Sequence, residues 1–170
     1  MRRAYLVILL NISMAASTVA AANTVVSFIH PDDYTDLALY GGCCLGAKQP
    51  ALTGIAEYLE GLGAHDLAPS QTLTVEVTDI DLAGELEPWR PLGYDTRVMR
   101  DVYPPRIRLR YRLTGDGLTA MEGEETIVDL NYLANPATRQ VQGPLRYEKA
   151  MLSHWFRSRL MDRRPAPGNT

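Results

Sequence analysis

Four carboxylates fall within the nine residues Asp79-Ile80-Asp81-Leu82-Ala83-Gly84-Glu85-Leu86-Glu87, just before Pro88-Trp89. Asp79 and Asp81 are two apart, so on an extended chain they share a face. With Glu85 and Glu87 they offer oxygen ligands to a hard cation such as calcium, or to the metal of a metal-assisted hydrolase. The spacing departs from the EF-hand calcium loop. A solvated acidic loop anchored by Trp89 accounts for the same residues without a ligand. On that view Asp79 and Asp81 cap turns or pair with Arg106 or Arg146.

A second cluster is the stripe Arg106, Arg108, Arg110 and Arg112, on one side of an alternating run. Four guanidinium groups in a row suit an anion such as phosphate. A salt-bridged solvent face explains them better, because Glu122 and Glu124 are expected opposite. Cys43-Cys44 is a third feature. Adjacent cysteines close a disulfide only through a strained ring, and there is no Cys-x-x-Cys. His30, His65 and His154 stand apart and match no metal-binding spacing. The chain has no Gly-x-Ser-x-Gly elbow, no Ser-x-x-Lys and no phosphate-cradling glycine loop, so nothing in it argues positively for an enzyme. No motif demands a cofactor.

The elements that must position these residues follow from periodicity. Val25, Val26, Phe28 and Ile29 read as a short strand stopped by Pro31. Leu52, Ile55, Ala56, Leu59 and Leu62 recur at helical spacing after Pro50, with Gly61 and Gly63 placed where a helix would end. Leu73, Val75 and Val77 alternate strictly, as a half-buried strand requires. The apolar phase then flips at Ile80 and Leu82, which requires a bulge or an end, because the side-chain period of a strand is two. Ile107 to Leu113 is the clearest strand. It turns through Gly115-Asp116-Gly117 into a return strand over Leu118–Asp129, pairing Arg110 with Glu122, Arg108 with Glu124 and Tyr111 with Met121. Tyr147, Met151, Leu152, Trp155, Phe156 and Leu160 form the apolar face of a last helix from Leu145 to about Met161. The order β-α-β-β-β-α calls for an α+β two-layer sandwich: a mostly antiparallel sheet of about four strands with two helices on one face.

The 170 residues are 46% hydrophobic and 22% charged, which suits one domain and excludes a disordered chain. The 17 basic and 20 acidic residues exclude a general nucleic-acid binder. Arg2-Arg3, the apolar run Ala4–Leu10 and the small residues Ala20 and Ala22 read as an export signal over residues 1–22, cut before Asn23. Its apolar core is too short for a membrane span, so no transmembrane helix is expected after cleavage. A single domain over 23–162 and a disordered polar tail over 163–170 complete the expected organisation. Cutting removes two basic residues and no acidic one, moving the net charge from −3 to −5. Six basic residues but only two acidic ones lie from Arg146 onward, leaving an acidic body and a basic C-terminus. That terminus offers a weak peripheral contact to an anionic surface.

Three stretches taken together, Asp79-Ile-Asp81-Leu82-Ala83-Gly84 with Glu87-Pro88-Trp89, Asp129-Leu-Asn131-Tyr132-Leu133, and Leu145-Arg146-Tyr147-Glu148-Lys149 with Trp155-Phe156, carry a family resemblance. The chain resembles small secreted proteobacterial proteins catalogued as a domain of unknown function, number 3016. The resemblance spans about Val25 to Leu160. It implies export and a single domain, supplies no reaction or cofactor, and gives Cys43 and Cys44 no general role.

These observations lead to the expectation of a periplasmic or secreted, non-enzymatic binding or envelope-associated module, its partner a protein or an envelope ligand. The segments expected to present a site are Asp79–Trp89 and Asn131–Tyr147. The residues expected to contact a ligand are Asp79, Asp81, Glu87, Trp89 and Tyr132. The competing expectation is a cation site built from Asp79, Asp81, Glu85 and Glu87.

Overall fold

The phase flip at Ile80 decides how the sheet is built. In the computed structural model, which describes residues 22–37, 49–87, 89 and 97–162, strand β2 runs unbroken from Gln71 to Asp81. Its register against the next strand slips between Val77 and Asp79. Thr78 is the extra residue of a β-bulge, so Leu73, Val75 and Val77 face inward before it, and Ile80 does so after it. The Val77 carbonyl, at the slip, accepts from the Ile29 amide (2.9 Å) and the Tyr34 hydroxyl (2.5 Å). Burial, with the Asp79 charge adding to it, pushes the Tyr34 hydroxyl up to about 12.

The main sheet has four strands in the order β1-β2-β5-β6. Strand β1 (Asn23–Phe28) lies parallel to β2. Strands β5 (Arg106–Gly115) and β6 (Met121–Val128) continue it antiparallel. The parallel pair needs a crossover, and helix α1 (Gln49–Asp66) supplies it. Two short strands, β3 (Glu85–Leu86) and β4 (Arg97–Val98), form a separate ladder after β2. Helix α2 (Arg146–Phe156) ends in a wider π-type turn over Arg157–Met161. The expected α+β sandwich is therefore the observed architecture, with a mixed four-stranded sheet and the β3–β4 ladder added.

The core lies between the sheet's inner face and the helices. Trp155 and Phe156 are 4% and 0% exposed. The Trp155 ring meets Tyr111 edge-on at 5.5 Å. Gly123 lies under Tyr111, where an added Cβ would sit 3.1 Å from the ring. Burying side chains of this size stabilises by roughly 2–3 kcal/mol each, so the docking of α2 is a principal contribution to the fold.

Two expectations are corrected. The β5–β6 register differs by two residues: Arg110 faces Glu124, Arg112 faces Glu122, Arg108 faces Thr126, and Leu113 rather than Tyr111 faces Met121. The turn closes through Leu118 N–H donating to the Gly115 carbonyl (3.2 Å), but the ladder starts only at Met121. A slip of two preserves every side chain's face, so the charged outer side survives the error. The second correction is α1, which does not stop at its glycines but runs on to Asp66. Its buried stripe is Ala51, Ile55, Leu59 and Gly63. Gly63 is a contact point: an added Cβ would lie 1.8 Å from Thr24 Oγ1 on β1. The proposed export signal (Ala22 apart), Cys43-Cys44, Pro88 and the 163–170 tail lie outside the described residues.

The two α1 glycines separate packing from propensity. Gly63→Ala is expected to destabilise by roughly 1–3 kcal/mol through overpacking against Thr24. Gly61 has nothing within 4 Å of an added Cβ, so Gly61→Ala is expected to stabilise by about 0.5–1 kcal/mol. Urea unfolding of the two variants checks both signs.

Candidate functional site

After Asp81 the chain leaves the sheet through Leu82-Ala83-Gly84. All three residues are buried, so their backbone groups need partners inside the protein. Gly84 makes the turn at φ 75°, and a Cβ there would lie 2.8 Å from the Val98 carbonyl oxygen. The β3–β4 ladder, pairing Glu85 with Val98 and Leu86 with Arg97, brings Arg97 back over the turn. The Arg97 side chain is 6% exposed. Its Nε donates to the Ala83 carbonyl at 3.0 Å. Its Nη2 lies 3.1 Å from the Leu82 carbonyl, 2.6 Å from the Gly84 carbonyl and 2.7 Å from Asp36 Oδ2. One planar cation thus serves three consecutive carbonyls and one carboxylate.

Glu148 closes the turn from the other side. It sits in the first turn of α2, 3% exposed, and its Oε1 accepts from the Ala83 amide at 2.7 Å. Burial pushes the Glu148 carboxyl above its ordinary range, against the opposing pull of the Ala83 amide, its own backbone amide and the charges of Arg97 and Lys149. Leu145, the residue that leads into α2, is a buried non-glycine residue at φ 65°. That left-handed conformation costs on the order of 1–2 kcal/mol. It aims the Leu145 side chain at α1, where a Cβ on Gly54 would lie 2.8 Å from Leu145 Cδ1.

Tyr132 joins the same junction. It is 0% exposed, its hydroxyl donates to the Arg100 carbonyl at 2.6 Å, and its ring meets Tyr147 edge-on at 4.9 Å. The Arg146 guanidinium lies 4.8 Å from the centre of the Tyr147 ring. Ala83, Tyr132 and Tyr147 form a small apolar cluster apart from the main core. All three sequence stretches singled out above therefore meet here, one residue from each packing against the others. A hollow of about 210 Å³ opens beside Arg97, Met99, Pro144 and Glu148.

The five residues expected to share a ligand do not line one hollow. Asp79 holds the β1–α1 connection, accepting from the Thr35 amide (2.8 Å) and hydroxyl (3.0 Å). Asp81 pairs with Arg106 at 2.7 Å on a half-exposed surface. Glu87 is 2% exposed and pairs with Arg100 at 2.8 Å. Tyr132 is wholly buried, whereas Trp89, also considered as a core anchor, is 71% exposed. Glu85 is exposed. Among the described residues no three His, Cys, Asp or Glu side chains gather where a metal ion could sit. His154 is exposed and borders a hollow of about 700 Å³ with Asp129, Asn131 and Asn135. Both oxygens of Asp129 are already engaged there, by the Asn131 amide (3.0 Å) and Asn135 Nδ2 (2.6 Å).

Sequence reasoning missed Arg97, Asp36 and Arg100. Arg97 belongs to a strand of two residues, too short to show alternation. It also missed a hollow of about 420 Å³ on the far side of the turn, bordered by Asp81, Glu85, Val102, Pro104, Val128 and Leu130.

Fold and junction together define a two-layer α+β domain whose three marker stretches pack into one buried knot at the loop end of a mixed sheet. The chain belongs to the family described as "Protein of unknown function (DUF3016)", whose model matches residues 22–158. No curated protein and no solved structure matches the chain.

Two substitutions test the knot. Arg97→Met removes the donors of three buried carbonyls and the cation beside Asp36, and is expected to cost roughly 3–5 kcal/mol in urea unfolding. A loss below about 1 kcal/mol would contradict the clasp. Glu148→Gln keeps an acceptor for Ala83 but removes the charge. A carboxyl raised by folding binds its proton more tightly when folded, so its ionisation erodes stability as pH rises above the unfolded glutamate value. The glutamine variant should therefore gain on wild type as pH climbs from about 4 to about 7. A difference that stays flat over that range would show that burial does not perturb Glu148.

Proposed function

We propose that this protein is an exported, non-enzymatic binding or envelope-associated module of the periplasm or cell exterior, and that it meets its partner through the loop end of its sheet. Export is supported by the basic start, short apolar run and small residues of positions 1–22. No helix among the described residues is long and apolar enough to cross a membrane.

The observation that carries the binding reading is how the carboxylates are used. Asp79, Asp81, Glu87 and Glu148 each hold a backbone turn or an arginine. Those contacts give each carboxylate a structural partner, which supports a positioning role. Apolar side chains, by contrast, stand in solvent at this same end: Val102 is 67% exposed and Leu130 73%. Loops carried by a rigid sheet are a common place for recognition.

The chain produced with its own N-terminus is expected in the periplasmic or secreted fraction, beginning at Asn23 by N-terminal sequencing. Recovery of the uncut chain in the cytosol would overturn export. Purified protein is expected to show no turnover across a broad hydrolase panel. Turnover abolished by Asp81→Asn would overturn the non-enzymatic reading.

A further inference from the structure

We propose that the hollow bordered by Val102, Val128 and Leu130 receives a cationic, amphipathic polypeptide segment of a partner protein. This deepens the binding-module reading and rests on it.

The apolar exposure is uneven. Eight large hydrophobic residues are exposed among the described residues: Val25, Ile29, Trp89, Met99, Val102, Val128, Leu130 and Leu133. All but Val25 lie on segments at the end where β1, β2 and β6 finish and β5 begins. Three of them, Val102, Val128 and Leu130, line one concavity of about 420 Å³, floored by Leu82 and walled by Tyr103 and Pro104. A concave apolar site takes an inserted side chain, the geometry of a binding hot spot. An isolated exposed aliphatic residue needs no explanation, but several sharing one hollow do.

The charge around the hollow selects the occupant. Each arginine nearby is already matched: Arg97 with Asp36 (2.7 Å), Arg100 with Glu87 (2.8 Å) and Arg106 with Asp81 (2.7 Å). Glu85 on the rim has no cation within ion-pairing distance among the described residues, so the charged residues that line the hollow, Asp81, Glu85 and Arg106, leave it net negative. The hollow thus joins apolar walls at Leu82, Val102, Val128 and Leu130 to a rim of net negative charge. An anionic lipid surface would be repelled by that rim. A second copy docking rim to rim would set like charges against each other. The chain's own basic terminus beyond Met161, Asp-Arg-Arg-Pro-Ala-Pro-Gly-Asn-Thr, carries no large apolar residue to fill the hollow. A segment with aliphatic anchors flanked by Lys or Arg satisfies both the cavity and the rim.

The test is a titration of the ¹⁵N-labelled mature chain with a Leu/Lys amphipathic helical peptide of roughly 14 residues, about four turns. A Leu/Glu peptide of the same pattern, phosphatidylglycerol vesicles and the free chain's sedimentation serve as comparisons. Saturable shifts are expected at Val102, Val128 and Leu130 with the Leu/Lys peptide alone, weakening as salt rises. Val102→Asn with Leu130→Asn, which removes the apolar contact without adding charge, should weaken that affinity about tenfold or more, with the thermal melt unchanged because both sites face solvent. Val25→Asn, at an exposed aliphatic residue on β1 away from the hollow, should leave it intact. Equal binding of the Leu/Glu peptide, shifts mapping elsewhere, vesicle binding abolished by the double variant, or dimerisation abolished by it would each overturn the proposal. No binding by an exported chain without Asp81-dependent turnover overturns this partner class alone. Cytosolic recovery or Asp81-dependent turnover overturns the module reading beneath it.

Discussion

Three consecutive buried carbonyls, at Leu82, Ala83 and Gly84, set the terms for the loop end of this domain. A strand that leaves a sheet toward solvent loses its ladder partners to water. This one leaves into the interior, where water cannot replace them. Arg97 supplies the donors in one plane, with a fork that a lysine's single ammonium could not reproduce. Its position fixes β4, and β4 fixes the segment that carries Arg100 and Val102. Arg100 then offers its carbonyl to Tyr132 and its guanidinium to Glu87. Placement of the surface loops therefore passes through one buried cation.

The sheet's two faces and its loop end have different tasks. The inner face is closed by both helices and carries the main cluster of buried apolar side chains. The outer face is a charge ladder in which Arg110 reaches Glu76 (3.6 Å) and Glu124 (3.3 Å) while Arg112 approaches Glu122 at 3.9 Å. These pairs are exposed, so each adds well under about 1 kcal/mol and serves mainly to keep the face wet. Strand β6, at the sheet's edge, carries Glu122, Glu124 and Glu125, the last paired with Arg159 at 2.6 Å. Charges on an edge strand discourage further strand pairing. Apolar contact is left to the loops.

Periodicity made the layers legible and left the junction obscure. The flip at Ile80 announced a bulge or a strand end, and the unbroken β2 with its slipped register decides for the bulge. The faces of β5 and β6 were readable from alternation, but their register was not, because it depends on where the turn hands over to the ladder. Gly63 looked like a helix stop, since its lack of a side chain serves a close approach to β1 that no local pattern reveals. The aromatics show the same limit. Trp89 and Tyr132 both suited a surface role, yet one stands in solvent and the other is wholly buried, its hydroxyl satisfied by the Arg100 carbonyl. Arg97 left no periodic signal at all, because its partners are backbone atoms of a distant turn.

The parallel seating of β1 bears on the order in which the chain can assemble. Asn23 and Thr72 are partners across about fifty residues, whereas Leu113 and Met121 meet across a tight turn. Closing the longer span loses more chain entropy before any contact repays it. The β5–β6 hairpin is thus the pairing with the smallest closure cost, and β1, the first of the described strands, has the largest. A nascent or threaded chain keeps its leading segment open until the crossover helix has formed.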